Sequence, residues 1–415
     1  MPRFLQHWAM ALLLGTATSA MANEAAEAHS AVVLSERLTL AEVVTAALAR
    51  APEQSIGGAY QQQAEQQTRF SRSLSPAPAR LNLSYWDDAS FDNLGNTEAE
   101  AGVEFDLWRL GEKRNARQLA EAYSNGSQNW QQHLTLLVAG RVRQSLAQLT
   151  LARLNLNHAE QALADSEALL AISNKRLAAG EVAESTVLQS EALVLDAKQQ
   201  LLASQAEMVD AERSYHLLTG LDAAPKEWLE ALPEPSEITP EHPQLAYLLG
   251  LRQQQLAATD QQRHQTAGNA TLGIGVRRQQ AADNDPQNDS LGLSLSIPFG
   301  GKSYSRVQSS AASVALAELD ARIEQARLDL KLQLHEVEHQ LHTLESALAY
   351  AQQSRELTQR QWQMAKTAFA LGESTIQPTI LALQQHRQSE LRWLHLRLRQ
   401  QALISTYKQT LGELP

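Results

Sequence analysis

The longest regular pattern in the chain is a heptad. Val142, Leu149, Leu156, Leu163, Leu170 and Leu177 stand seven apart, and Ser145, Ala152, Ala159, Ser166 and Ser173 follow the first five at a distance of three. Sustained heptads predict coiled-coil helices, and the small residues let neighbouring helices approach closely. No proline interrupts the run from Gly111 to Leu177, which as one helix is roughly 100 Å long. A returning helix is expected after Gly180, with Leu188, Leu195, Leu202 and Val209 seven apart and Gly220 as its C-cap. The pattern recurs downstream, with Leu316, Ile323, Leu330, Val337 and Leu344 seven apart ahead of Gly372.

Two pairs of shorter segments alternate instead. Leu81, Leu83 and Tyr85 oppose Arg80, Asn82 and Ser84; Val103, Phe105 and Leu107 oppose Gly102, Glu104 and Asp106. Later, Leu272, Ile274 and Val276 oppose Thr271, Gly273 and Gly275, and Leu291, Leu293, Leu295 and Ile297 oppose Gly292, Ser294 and Ser296. Period-two alternation predicts strands with one apolar face. They form hairpins at about 79–109 and 270–299, with polar loops "DDASFDNLGNT" and "AADNDPQNDS". "PFGG" at 298–301 ends the last strand.

The chain repeats itself. Gly180, Glu181, Tyr215 and Gly220 match Gly372, Glu373, Tyr407 and Gly412 at an offset of 192, and Pro52 matches Pro243 at 191. Two units follow, 23–220 and 243–415, joined by a proline-rich linker at 221–242, with hairpin tips near 180 and 372. A preceding helical stretch, from Leu38 to about Ser73, is expected to break at Pro52.

Arg3, the apolar run Ala9–Leu14 and the small-x-small triplet Ala20-Met21-Ala22 read as a secretory signal peptide over residues 1–22. No later segment is long and apolar enough for a transmembrane helix. With no cysteine in 415 residues, packing alone must hold the exported chain together. The formal charge of −11 argues against nucleic acid as a partner.

An exported chain with apolar-faced strands and no membrane helix points to an outer-membrane barrel. Four strands cannot close one. Two chains give eight strands, whose interior side chains just fill; three give twelve and leave a lumen. The expected fold class is mainly α with a small β part. Long antiparallel coiled-coil helices form an α-barrel, and four strands per chain contribute to a trimeric 12-stranded outer-membrane β-barrel.

The repeated order of helix, hairpin, long helix, glycine tip and long helix, ending in "LTGL", resembles the TolC family of outer-membrane efflux ducts over essentially the whole mature chain. "RLGEKRNAR" at 109–117 resembles the "GGKR" segment of the cobalt–zinc–cadmium branch, though Glu112 departs from that pattern; "SIPFGGKSYSRVQSSA" resembles the second-unit counterpart. The resemblance implies an exit duct of a tripartite efflux system carrying heavy-metal cations, with drug efflux and type I protein secretion as alternatives. It implies a homotrimer in outer-membrane lipid, with a long periplasmic portion. It also implies a periplasmic adaptor protein and an inner-membrane pump of the resistance-nodulation-division type. The adaptor would meet the tips at Leu177, Gly180, Glu181, Phe369, Gly372 and Glu373. Carboxylates that narrow the tip in some family members fall here at Pro378 and Leu381, so that gate does not carry over.

Two other classes compete. "HEVEH" at 335–339 matches the zinc-protease pattern H-E-x-x-H, with Glu336 as base and His342 close by. Val337 lies in the heptad seam, however, and periodicity accounts for the segment without a cleft. A periplasmic coiled-coil scaffold lacking a pore is opposed by the four strands. The expectation is therefore no enzyme, no cofactor and no resident metal.

Overall fold

The computed structural model describes residues 31–90, 94–266, 268–300 and 302–415; the expected signal peptide lies outside them. A short strand β1 (Val33–Ser35) leads into α1 (Leu40–Arg50) and α2 (Gln54–Arg72). Thr39 and Glu42 form a capping box at the start of α1. Ala51, the residue before Pro52, is extended (φ −63°, ψ 124°), so the helix breaks where proline disfavours α geometry.

Strands β2 (Arg80–Asp87) and β3 (Thr97–Leu107) follow, then the 67-residue helix α3 (Glu112–Ala178) and the returning α4 (Glu184–Thr219). Strand β4 (Ala223–Pro225) pairs parallel with β1. The second unit holds α5 (Pro243–Thr266), β5 (Ala270–Gln280), β6 (Asn288–Ser296), the 69-residue α6 (Lys302–Ala370) and α7 (Ile376–Leu411). Helices α4 and α7 are both 36 residues long and close on left-handed glycines, Gly220 and Gly412.

Three tiers share one lateral order. The sheet runs β2-β3-β5-β6, antiparallel throughout. Beside it the upper helices run α2-α3-α5-α6, and the lower ones α4-α3-α7-α6. Helices α3 and α6 span both helical tiers. Elements β2, α2 and α4 form one flank of the slab; β6 and α6 form the other.

Glycines bring α3 and α5 together: a Cβ on Gly250 would lie 3.7 Å from the Gly126 backbone. The main apolar core lies where α1, α3, α4 and the chain after β4 converge, around Leu134, Val142, Leu146, Tyr215 and Trp228.

The heptads behave differently from one another. On α6, Ile323, Leu330, Val337 and Leu344 are buried. On α3 the small-residue line, Ser145, Ala152, Ala159, Ser166 and Ser173, is buried throughout, whereas the large-residue line is buried only at Val142 and Leu149, half-buried at Leu156, Leu163 and Leu170 and exposed at Leu177. Close approach explains this, since Ser173 Oγ meets Ser190 Oγ on α4 at 2.7 Å. On α4, the heptad Leu188, Leu195, Leu202 and Val209 is exposed rather than packed on α3. That helix faces α3 with Val187, Ser190, Val194 and Ala197 instead.

Candidate functional site

The sheet register places every alternating apolar residue on one face. Leu81, Val103, Ile274 and Leu293 make one cross-strand row; Leu83, Ala101, Val276 and Leu291 make the next; Phe105, Leu272 and Leu295 a third. Most of these side chains are exposed, Leu291 and Leu293 by three quarters of their surface. Strands of 8 to 11 residues match the length that crosses a bilayer when tilted.

The opposite face is polar and acidic. Strand β3 alone places Glu98, Glu100, Glu104 and Asp106 there. Arg80 pairs with Glu104 at 3.6 Å and with Asp106 at 2.7 Å, and Arg277 pairs with Glu98. Four carboxylates against two guanidinium groups leave this face negative. Strands β2 and β6 are the open edges of the sheet.

At the far end of the long helices the two tips share one backbone design. Glu181 N–H donates to Arg176 O and Gly180 N–H to Leu177 O, both at 2.9 Å. Glu373 N–H donates to Ala368 O at 2.9 Å, and Gly372 N–H to Phe369 O at 3.2 Å. Both are Schellman motifs, and the positive φ of Gly180 (73°) and Gly372 (85°) explains why glycine stands at each. Gly180, Glu181, Gly372 and Glu373 are exposed at the two turns, and Leu177 is exposed just before the first.

Phe369 is different. It was expected at a contact surface with the other tip residues, yet it is fully buried. It packs with Leu169, Leu193, Trp362, Ile376 and Leu383, a cluster drawn from both hairpins. Packing between the two hairpins puts Phe369 on the inner side of its tip, where it anchors rather than presents. Sequence reasoning also passed over Arg176, whose side chain crosses from the first tip to the second. The one signal was its asymmetry, since Ala368 occupies the equivalent place in the second unit.

His335, Glu336, His339 and His342 are exposed on α6, away from the buried Val337 and Leu344. Gln340 Nε2 donates to Glu336 Oε1. Among the described residues no group of three His, Cys, Asp or Glu is placed to hold a metal ion, and no helix is long and apolar enough to cross a membrane.

No family model matches the sequence, and no curated protein matches it significantly. Solved structures do match. The chain superposes on CusC with a TM-score of 0.72 at 15% identity, covering 90% of this chain and 92% of that one. The fold is that of the TolC-type channels. VceC, an outer membrane protein of Vibrio cholerae, matches with a TM-score of 0.70 at 15% identity over 90% of this chain and 96% of its own. The CmeC outer membrane channel of Campylobacter jejuni matches with a TM-score of 0.68 at 15% identity over 90% and 85%. The CusC structures are described through conformational changes that accompany folding and transmembrane channel formation. In this TolC-type fold, the mainly helical composition, the long coiled coils and the four strands agree with the fold class expected from the sequence.

Proposed function

We propose that the protein is the outer-membrane exit duct of a tripartite export system, assembled as a homotrimer. The observation that carries this reading is the apolar face running across all four strands of an open sheet. In lipid, unpaired strand edges cost several kcal/mol per group, so β2 of one copy must pair with β6 of the next. A head-to-tail contact of this kind generates a ring when its rotation closes, and three copies supply the twelve strands that leave a lumen. The negative opposite face then lines the pore.

The helices support the same contact. Leu188, Leu195 and Leu202 on the α4 flank stand 8, 15 and 22 residues from Gly180. Met364, Leu357 and Tyr350 on the α6 flank stand 8, 15 and 22 residues from Gly372. All six are exposed. Because α4 runs away from its tip and α6 towards its own, the two stripes meet antiparallel at equal heights when flank meets flank.

In this reading the helical part is periplasmic. The exposed tip residues Leu177, Gly180, Glu181, Gly372 and Glu373 receive a periplasmic adaptor, and an inner-membrane pump of the resistance-nodulation-division type supplies the energy. Heavy-metal cations are the proposed cargo. This rests on the resemblance of 109–117 to the cobalt–zinc–cadmium branch and on the surplus of carboxylates facing the lumen.

Single-channel recording of the purified protein in planar bilayers, with its mass measured in detergent, tests the duct. A conducting trimer is expected; a soluble, non-conducting monomer would sink the reading and favour a periplasmic scaffold. Survival of a deletion strain on zinc, cobalt and cadmium, against drugs, tests the cargo.

A further inference from the structure

The two tips of one chain are built alike but are not joined symmetrically. Arg176 leaves the last turn of α3 and reaches the second tip. Its Nη1 donates to the carbonyl of Phe369 at 2.8 Å and to that of Ser374 at 3.4 Å. Its guanidinium carbon lies 4.9 Å from the centre of the Phe369 ring. Its Nε donates to Glu181 Oε2 at 3.1 Å, within its own tip. The Arg176 side chain is only 11% exposed, whereas Glu181 is 53% exposed. No reciprocal contact is available, because Ala368 stands at the equivalent position in the second unit.

We propose that Arg176 is a positioning residue that latches the second tip to the first, so that both tips of one chain move as a single body. The geometry suits arginine and not lysine. A planar fork can stack on a ring while donating in its own plane to carbonyls on either side of a turn. The two acceptors in the second tip are backbone atoms on either side of Gly372, so the latch reads the shape of that turn rather than its side chains. Glu181 holds the fork in orientation from the exposed side, where an ion pair contributes little by itself. The apolar cluster around Phe369 lies beneath and joins the same two hairpins, so the question is whether that cluster suffices without the guanidinium.

The latch bears on the duct because the tips form its periplasmic mouth in the proposed function, and to that extent it rests on that reading. The test does not depend on conduction. The chain has no cysteine, so Ala179→Cys and Glu373→Cys can carry spin labels on the two tips of the full-length protein. A narrow inter-tip distance distribution is expected with Arg176 present. Arg176→Ala should lose that narrow peak with helicity and oligomer mass unchanged. Arg176→Lys should give an intermediate width, and Glu181→Ala should stay close to the parent. A distribution unmoved by Arg176→Ala would overturn the proposal and assign the joint to the apolar cluster. Loosening by Glu181→Ala equal to that by Arg176→Ala would overturn it in favour of the exposed ion pair. If the distances respond as expected while the purified protein fails to conduct, the latch stands and the duct falls.

Discussion

Arg143 and Glu230 face each other as fork to fork: Nε and Nη2 of the arginine each donate to one carboxylate oxygen at 2.8 Å. Arg143 is almost wholly buried. Its Nη1 donates to Gln409 Oε1 at 2.7 Å, and Gln409 Nε2 in turn donates to Leu136 O at 2.8 Å. The pair therefore fastens three distant segments: α3, the connection after β4, and the end of α7.

Removing Arg143 leaves the nearly buried carboxylate of Glu230 with Lys408 as its one ion-pair partner among the described residues, Nζ lying 3.8 Å from Oε1. Arg143→Ala is expected to destabilise the protein by about 3–5 kcal/mol, and the double change Arg143→Met with Glu230→Leu by clearly less. Thermal unfolding of the purified protein, followed by circular dichroism, separates the two. Equal losses in both variants would show that an unmatched carboxylate is not the source of the cost of Arg143→Ala.

The two faces of the sheet should respond oppositely to charge. Leu83→Arg, in the middle of the apolar face, is expected to cost about 2–4 kcal/mol of membrane insertion. Ser290→Arg, on the polar face beside Arg277, should leave insertion intact and change ion selectivity. Yield in the outer-membrane fraction and reversal potential in bilayers are the readouts. Tolerance of Leu83→Arg would contradict a lipid-facing sheet.

The equal-height stripes predict a specific contact between copies. Leu195→Cys combined with Leu357→Cys should form disulfides that join neighbouring chains and yield a covalent trimer on a denaturing gel. Leu195→Cys with Leu371→Cys, out of step by two heptads, should not. Leu195→Asp alone should lower the fraction of assembled oligomer.

Acid should weaken the helical body. Burial pushes His133, His158 and His242 below the usual imidazole range, with neighbouring His133 adding to the effect on His242. His133 also stacks flat on Tyr247, ring centres 5.1 Å apart. At pH above about 6.5 these groups are neutral in both folded and unfolded chains and exert no pH effect. As pH falls below that value the unfolded chain takes up protons first, so stability drops towards the lower folded values. The unfolding temperature should therefore fall between pH values of about 6.5 and 5. His133→Phe, which keeps a stacking ring, should flatten that fall; an unchanged slope would remove His133 from the account.

Much of this architecture was legible from local pattern. Helix period, strand alternation and the glycines at 180 and 372 are properties of short stretches, and Pro52 breaks the helix by local sterics. What a heptad packs against is not local. The lines on α6 and on α4 look alike in sequence, yet one is buried within the chain and the other lies open on a flank. Phe369 and Leu177 occupy equivalent positions, yet one is buried in a cluster from both hairpins and the other is exposed. The acceptors of Arg176 are main-chain carbonyls nearly two hundred residues away, and any side chain could stand there without changing them.

One row of the sheet holds Asn82, Gly102, Gly275 and Gly292 side by side on the polar face. A Cβ on Gly275 would lie 3.0 Å from the Ala101 carbonyl oxygen and one on Gly102 3.2 Å from that of Ile274, so neither glycine can take a side chain without a shift. In the proposed ring this row would form a band of mostly bare peptide groups, interrupted once per chain by Asn82. A solute passing it would meet amide dipoles and a single carboxamide per chain. The charged footholds of the proposed lumen lie in the rows on either side of this band, at Glu100 and Glu104.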